Sequence, residues 1–115
     1  MPRIDPGWPL RDPARFLYPA LIWPVVEEIL FRGLLQGELR RHLGNAGIGP
    51  LTHANLVTSL VFSALHFIHH PPGWAAAVFL PSLLFGLARE RSGTLLAPIV
   101  LHAFYNSGYL WLFGA

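Results

Sequence analysis

Cysteine is absent from this chain of 115 residues, and so is lysine: all eight basic residues are arginines. The missing cysteines exclude disulfides, thiolate metal sites and a cysteine nucleophile. Charge of either sign is scarce. Asp, Glu, Lys and Arg make up 12% of the residues, against about 25% in soluble domains. None of the four occurs between Arg41 and Arg89, and none from Ser92 onward. The net charge of +2 is small and scattered, which excludes the basic footprint of a nucleic-acid-binding domain. The start, MPRIDPGWPLRDPARF, lacks the basic end and apolar run of a signal peptide. Residues 1–15 read instead as a polar interfacial lead, with Trp8, Tyr18 and Trp23 as expected headgroup anchors.

What the chain does contain is apolar. Hydrophobic residues reach 53% and the mean hydropathy is +0.45. A soluble domain of this size would leave much of that surface in water, because small domains bury only part of their chain. Lipid is the expected solvent. Four apolar segments stand out, each near the ~20 residues that cross a bilayer: Phe16–Leu39, Ala54–His69, Trp74–Arg89 and Thr94–Phe113. The second can extend back to a cap at Thr52 or Asn55. The links GNAGIGP, HHPPG and RERSG are rich in turn residues and short enough to make neighbours antiparallel. The expected fold is all-α: a single polytopic membrane domain over residues 16–115, a bundle of about four transmembrane helices. Pro24, Pro81 and Pro98 are tolerated in such helices as kinks, and Gly33 with Gly37 forms a G-x-x-x-G that permits close packing. Arg3, Arg11 and Arg15 fall on one side of the membrane and Arg40, Arg41, Arg89 and Arg91 on the other, so the positive-inside rule sets no orientation.

The first segment nevertheless carries VVEEILFRGLL, with three charges in six residues. A charge at the bilayer centre costs roughly 2.5–3.5 kcal/mol on insertion scales, so these groups need partners or a wet cavity. Glu28 and Arg32 stand four apart, acid before base, and pair along one helix face. Glu27 points roughly 100° away and is left over. Two other segments offer it company: Phe62 and His66 share a face of the second, and His102 and Asn106 stand one turn apart on the fourth. A lone histidine in an apolar helix is more often a packed, hydrogen-bonded residue than a catalyst. Glu27, His66, His102 and Asn106 come from three helices that must pack together, and this favours one shared polar site. A carboxylate and an imidazole hold and deprotonate a water; a second imidazole and a carboxamide donate to a developing oxyanion. The inventory fits water attack on a peptide bond. Ser59, Ser63 and Ser107 lack an evident acid–base relay.

These three motifs, E-E-x-x-x-R at 27–32, F-x-x-x-H at 62–66 and H-x-x-x-N at 102–106, together resemble the CAAX protease and bacteriocin-processing family, the CPBP or ABI group of intramembrane glutamic endopeptidases. The likeness spans roughly Pro19 to Ser107, and three motifs in order are far more specific than any one. It implies that Glu27 and His66 activate the water, that His102 and Asn106 form the oxyanion site, and that Glu28 and Arg32 support the cavity. It further implies a site facing the cytoplasm, a multi-pass place in a bacterial inner or cell membrane, and no cofactor. The partners implied are the lipid bilayer and a peptide or protein substrate bearing a C-terminal processing or sorting signal. Family members generally carry additional upstream helices for which this chain has no room. A minimal member, a fragment, and a subunit completed by a partner or by self-association are therefore all open.

Two other readings stand beside it. Glu27, His66 and His102 could form a His₂Glu zinc set, although no H-E-x-x-H is present; His69 and His70 would be extra ligands or, more simply, interfacial loop residues. A non-catalytic immunity or scaffold protein could keep the same buried cluster for fold specificity. His42 and His53 read as rim residues. Arg89, Glu90 and Arg91 read as a helix end, and Trp74, Phe79, Phe85 and Trp111 as packing or lipid-facing residues.

Overall fold

The computed structural model describes residues 5–113, so Arg3 of the lead lies outside the described residues. Helices α1 (Trp8–Arg11) and α2 (Pro13–Leu17) open the chain. Each has a proline in its first turn, where a missing N–H costs nothing, and the Asp12 carboxylate caps α2 by accepting from the Arg15 N–H. From Pro13 the backbone stays helical to Leu43, but it changes register twice. Segments Tyr18–Ile22 and Ile29–Leu35 are π-helical and flank α3 (Trp23–Glu28), and α4 (Gln36–Leu43) follows. The Trp23 N–H bonds the Tyr18 carbonyl and the Gln36 N–H bonds the Phe31 carbonyl, each five residues back. Insertions of this kind are frequent at functional sites.

Gly44, at φ 63°, ends α4. The GNAGIGP link then forms a small antiparallel hairpin of β1 (Gly47–Ile48) and β2 (Leu51–Thr52) that the sequence did not announce. Thr52 caps α5 (His53–His66), its hydroxyl accepting from the Asn55 N–H at 3.1 Å. The third apolar segment divides at Val78 into α6 (Pro72–Ala77) and α7 (Phe79–Ser92). Gly93 closes α7 in the left-handed conformation that glycine adopts without penalty, and α8 (Leu96–Phe113) completes the chain.

The described residues are thus nearly all helical, as expected. Of the four crossings expected, one helical run, residues 72–92, is long and apolar enough by itself. The 14 residues of α5 span only about 21 Å, short of the ~30 Å of a hydrocarbon core, and the run from Pro13 to Leu43 is interrupted by charge. Helix lengths alone do not supply a four-span bundle.

The packing is inverted relative to a water-soluble protein. The bulkiest fully buried side chains include Arg32, Gln36, Glu28, Asn55, Thr58, Ser59 and Ser82, while Leu34, Leu60, Leu80, Leu84, Val100 and Phe104 are exposed. Buried polar groups ordinarily find hydrogen-bond partners, and here many of them bond one another. Arg32 Nη2 donates to the Ser82 carbonyl at 2.8 Å and to Ser82 Oγ at 2.6 Å. Ser82 Oγ donates to Ser59 Oγ at 2.9 Å, and Ser59 Oγ to Asn55 Oδ1 at 3.1 Å. The Asn55 amide ends this line on the Leu83 carbonyl at 3.0 Å. One turn further on, Gln36 Nε2 donates to the Gly86 carbonyl and to Glu90 Oε2, which also accepts from Thr52 Oγ1. The polar line thus ties the first helical run, α5 and α7 together.

That line depends on Gly86, where a Cβ would overlap the Asn55 carboxamide. Gly86→Ala is expected to cost about 1–3 kcal/mol, the usual penalty for overpacking, and to lower the melting midpoint in detergent; an unchanged midpoint would show that α5 and α7 can separate freely. The G-x-x-x-G of the first segment has no comparable role. A Cβ at Gly33 would meet only the Leu95 side chain, and Gly37 faces no other helix at all.

Trp8 is also placed differently from the reading of it as a headgroup anchor. It is 4% exposed, and its indole N–H donates to the carbonyls of Leu110 and Trp111 at 3.1 and 3.3 Å. The start of the chain is thereby pinned to the end of α8, and part of the expected interfacial lead belongs to the packed body. Tyr18 and Trp23 are each 55% exposed.

Candidate active site

The two acids of the first motif face different neighbours because one residue of helix turns them apart. Glu28 is wholly buried between Arg32 and His102. Its Oε1 lies 3.3 Å from Arg32 Nε, and its Oε2 lies 2.7 Å from His102 Nδ1 on α8. The pairing with Arg32 follows from the i,i+4 spacing, whereas the bond to His102 crosses 74 residues of sequence. A carboxylate can only accept, so Nδ1 carries the proton and Nε2 is the nitrogen left to act. That Nε2 lies 3.6 Å from Glu27 Oε1. The Glu27 side chain is 32% exposed, open to the cavity that Glu28 cannot reach.

His102 is held from its faces as well as its edge. Phe85 stacks on it at 4.5 Å and 18°, and Phe62 meets it edge-on at 5.9 Å. Of the two readings of Phe85, packing or lipid-facing, the structure shows packing: the ring is buried and fixes the imidazole plane. On α5, His66 Nδ1 bonds the Phe62 carbonyl at 2.6 Å, which leaves its Nε2 available too. His66 also lies against the Phe62 ring, which therefore stands between the two histidines.

Asn106 is set by the backbone of the first helix. In the π-register begun by Trp23, residue 24 would donate to the carbonyl of residue 19, but Pro24 has no N–H. The Asn106 Nδ2 amide donates to that Pro19 carbonyl instead, at 3.0 Å. One N–H of the carboxamide is thus committed to structure, and the second remains. Pro24 signals in the sequence that a carbonyl upstream is left free, but not that Asn106 fills it.

Glu27, His66, His102 and Asn106 all line one cavity of about 480 Å³, whose outer wall includes Trp23, His70, Trp74 and Tyr109. His70 packs against Trp74 with the ring centres 4.1 Å apart and the planes tilted by 34°, so the HHPPG link contributes to this wall. His42 instead pairs with Glu38 at 3.1 Å. Ser63 donates to the Ala75 carbonyl at 2.6 Å and Ser59 belongs to the buried polar line. Among the described residues, no three His, Asp or Glu side chains are grouped so as to hold a metal ion.

A cavity with a carboxylate and two imidazoles at its floor and aromatic rings at its rim has the composition of a hydrolase site. The family model for type II CAAX prenyl endopeptidase Rce1-like proteins matches residues 9–108. The chain belongs to that family of membrane proteases. It is also 37% identical over 83 residues to an "Uncharacterized 24.3 kDa protein" of Escherichia coli, a match that covers 71% of this chain and 36% of that protein. The chain therefore spans little more than a third of this relative. No solved structure matches it.

Proposed function

We propose that this chain forms the catalytic core of an intramembrane endopeptidase that hydrolyses a peptide bond near the membrane surface. The observation that carries the reading is the convergence of Glu27, His66, His102 and Asn106 on one cavity. Glu27 takes a proton from water held between its carboxylate and His66 Nε2, and the water oxygen attacks the scissile carbonyl. His102, oriented by its Nδ1 bond to Glu28, stabilises the oxyanion through its Nε2 edge, and Asn106 donates its second amide hydrogen. The proton then passes to the leaving amine, giving a carboxylate and an amine without a covalent intermediate. Glu28 and Arg32 act as positioning residues.

The surroundings support a multi-pass membrane setting. Leucine, valine and aromatic side chains are exposed on a body that buries Arg32, Gln36, Glu28 and Asn55, a distribution a lipid solvent favours. The chain's helices then form a bundle of about four spans, with the short ones completed by neighbouring protein or locally thinned lipid. The substrate is a peptide or protein segment, a prenylated C-terminal motif being the one the family name indicates.

The test is direct. The chain is reconstituted in liposomes and offered quenched-fluorescent peptides with and without a prenylated C-terminal cysteine motif, and new termini are identified by mass spectrometry. Site-specific cleavage is expected, undiminished by chelators and without stoichiometric metal in the purified protein. Loss of turnover with EDTA and its return with Zn²⁺ would favour the zinc reading. No cleavage of any peptide, with a fold that melts normally, would favour the scaffold reading.

A further inference from the structure

Arg32, tied through Glu28 to His102, also lines a second cavity, of about 260 Å³. Arg32, Gln36, Arg40 and Arg41 form one wall, and Arg89 and Glu90 of α7 form the other. Four guanidinium groups therefore share a hollow with one carboxylate. That carboxylate is already engaged: Glu90 Oε2 accepts from Gln36 and Thr52, each at 2.7 Å, and Oε1 lies 4.0 Å from Arg40 Nε. Arg40 Nη2 donates to Asn45 Oδ1 at 2.6 Å and Arg41 Nη1 to Glu38 Oε2 at 2.9 Å, but other arginine donors are left over. Arg32 is 0% exposed, yet its Nη1 has no hydrogen-bond partner, and neither do the buried Nε atoms of Arg40 and Arg89. Among the described residues the Arg89 side chain has no hydrogen bond or ion pair.

Arginines at the C-terminal ends of α4 and α7 offset the partial negative charge of those ends, and this accounts for their place in the sequence. It does not account for the unpaired, desolvated donors of three arginines that line a common hollow, since such donors ordinarily find an acceptor. We propose that the hollow binds a phosphate group, supplied by the phosphodiester of an anionic phospholipid with a hydroxylated headgroup. The planar forks of arginine match phosphate oxygens. The cavity lies where the apolar helices give way to a cluster of arginines, the level at which basic pockets meet lipid headgroups. The same helices expose Leu30, Leu34, Leu80 and Leu84, a surface for acyl chains. Gln36 Oε1 is buried and unpaired, and it accepts from a headgroup hydroxyl. This inference does not rest on the peptidase reading.

The whole chain, purified in neutral detergent, is titrated with phosphatidylglycerol, phosphatidylcholine and inorganic phosphate. Melting midpoint and native mass spectrometry are recorded. Phosphatidylglycerol is expected to raise the midpoint and to remain bound one to one, whereas phosphatidylcholine and millimolar phosphate do neither. Arg89→Gln weakens phosphatidylglycerol binding about tenfold, the equivalent of one charge-assisted contact, while Arg91→Gln, an exposed charge outside the cavity, leaves it unchanged. Arg89→Lys, which keeps the charge and loses the fork, falls between. Equal effects of the 89 and 91 changes would reduce the binding to general surface attraction and overturn the site. Inorganic phosphate binding as tightly as the lipid would overturn the lipid assignment.

Discussion

Glu27→Gln is expected to give a protein that extracts and melts like the parent and cleaves its peptide about 10²–10⁴-fold more slowly, the range attributable to a positioned general base. The argument rests on where the carboxylate sits. Glu27 is 32% exposed within the cavity and 3.6 Å from His102 Nε2, so the carboxamide fits the same space and no buried partner is orphaned. What disappears is the proton acceptor. Cleavage rate and melting midpoint must be measured on the same preparation. A fall in rate that tracks a fall in midpoint would make Glu27 structural, and undiminished turnover would remove it from the mechanism.

The neighbouring pair should respond in the opposite sense. Arg32→Met is expected to cost about 3–5 kcal/mol of stability, because it strands a buried carboxylate. Glu28 and Arg32 are each 0% exposed and lie 3.3 Å apart, and Arg32 also holds Ser82 by two bonds. Adding Glu28→Gln to Arg32→Met removes the stranded charge and should restore part of the loss. That non-additivity, read from denaturation of the two single variants and the double variant, separates an ion pair from simple packing. Additive losses would mean that each side chain is held chiefly by other neighbours, His102 for Glu28 and Ser82 for Arg32.

The contrast between two adjacent glutamates shows what kinds of information the sequence holds. Spacing alone made Glu28 the partner of Arg32 and left Glu27 over, because helical periodicity is local and depends on no other segment. Thr52 as a cap and Gly93 as a stop are legible for the same reason. His66, His102 and Asn106 could be grouped with Glu27 only through the ordered motifs, since residues 39 to 79 positions from Glu27 share no local geometry. The bond between His102 and Glu28, the stack of Phe85, and the Ser82–Ser59–Asn55 relay were invisible. Each depends on the rotation and height of one helix against another. Trp8 was misplaced because an aromatic residue in a polar, proline-rich stretch reads as interfacial until the carbonyls at the end of α8 are brought to it.

The sequence by itself therefore determined that this protein is helical, that its charges are few and must find partners, and that one acid of the pair at 27 and 28 is tied to Arg32. These follow from composition and from the 3.6-residue period, which act within a single turn. The tertiary structure alone decided that Glu28 also holds His102 and that Asn106 fills the hydrogen bond Pro24 cannot make. It also decided that four arginines border a second cavity. Those outcomes depend on helix crossings and on a π-helical register, which bring together side chains that no spacing along the chain relates.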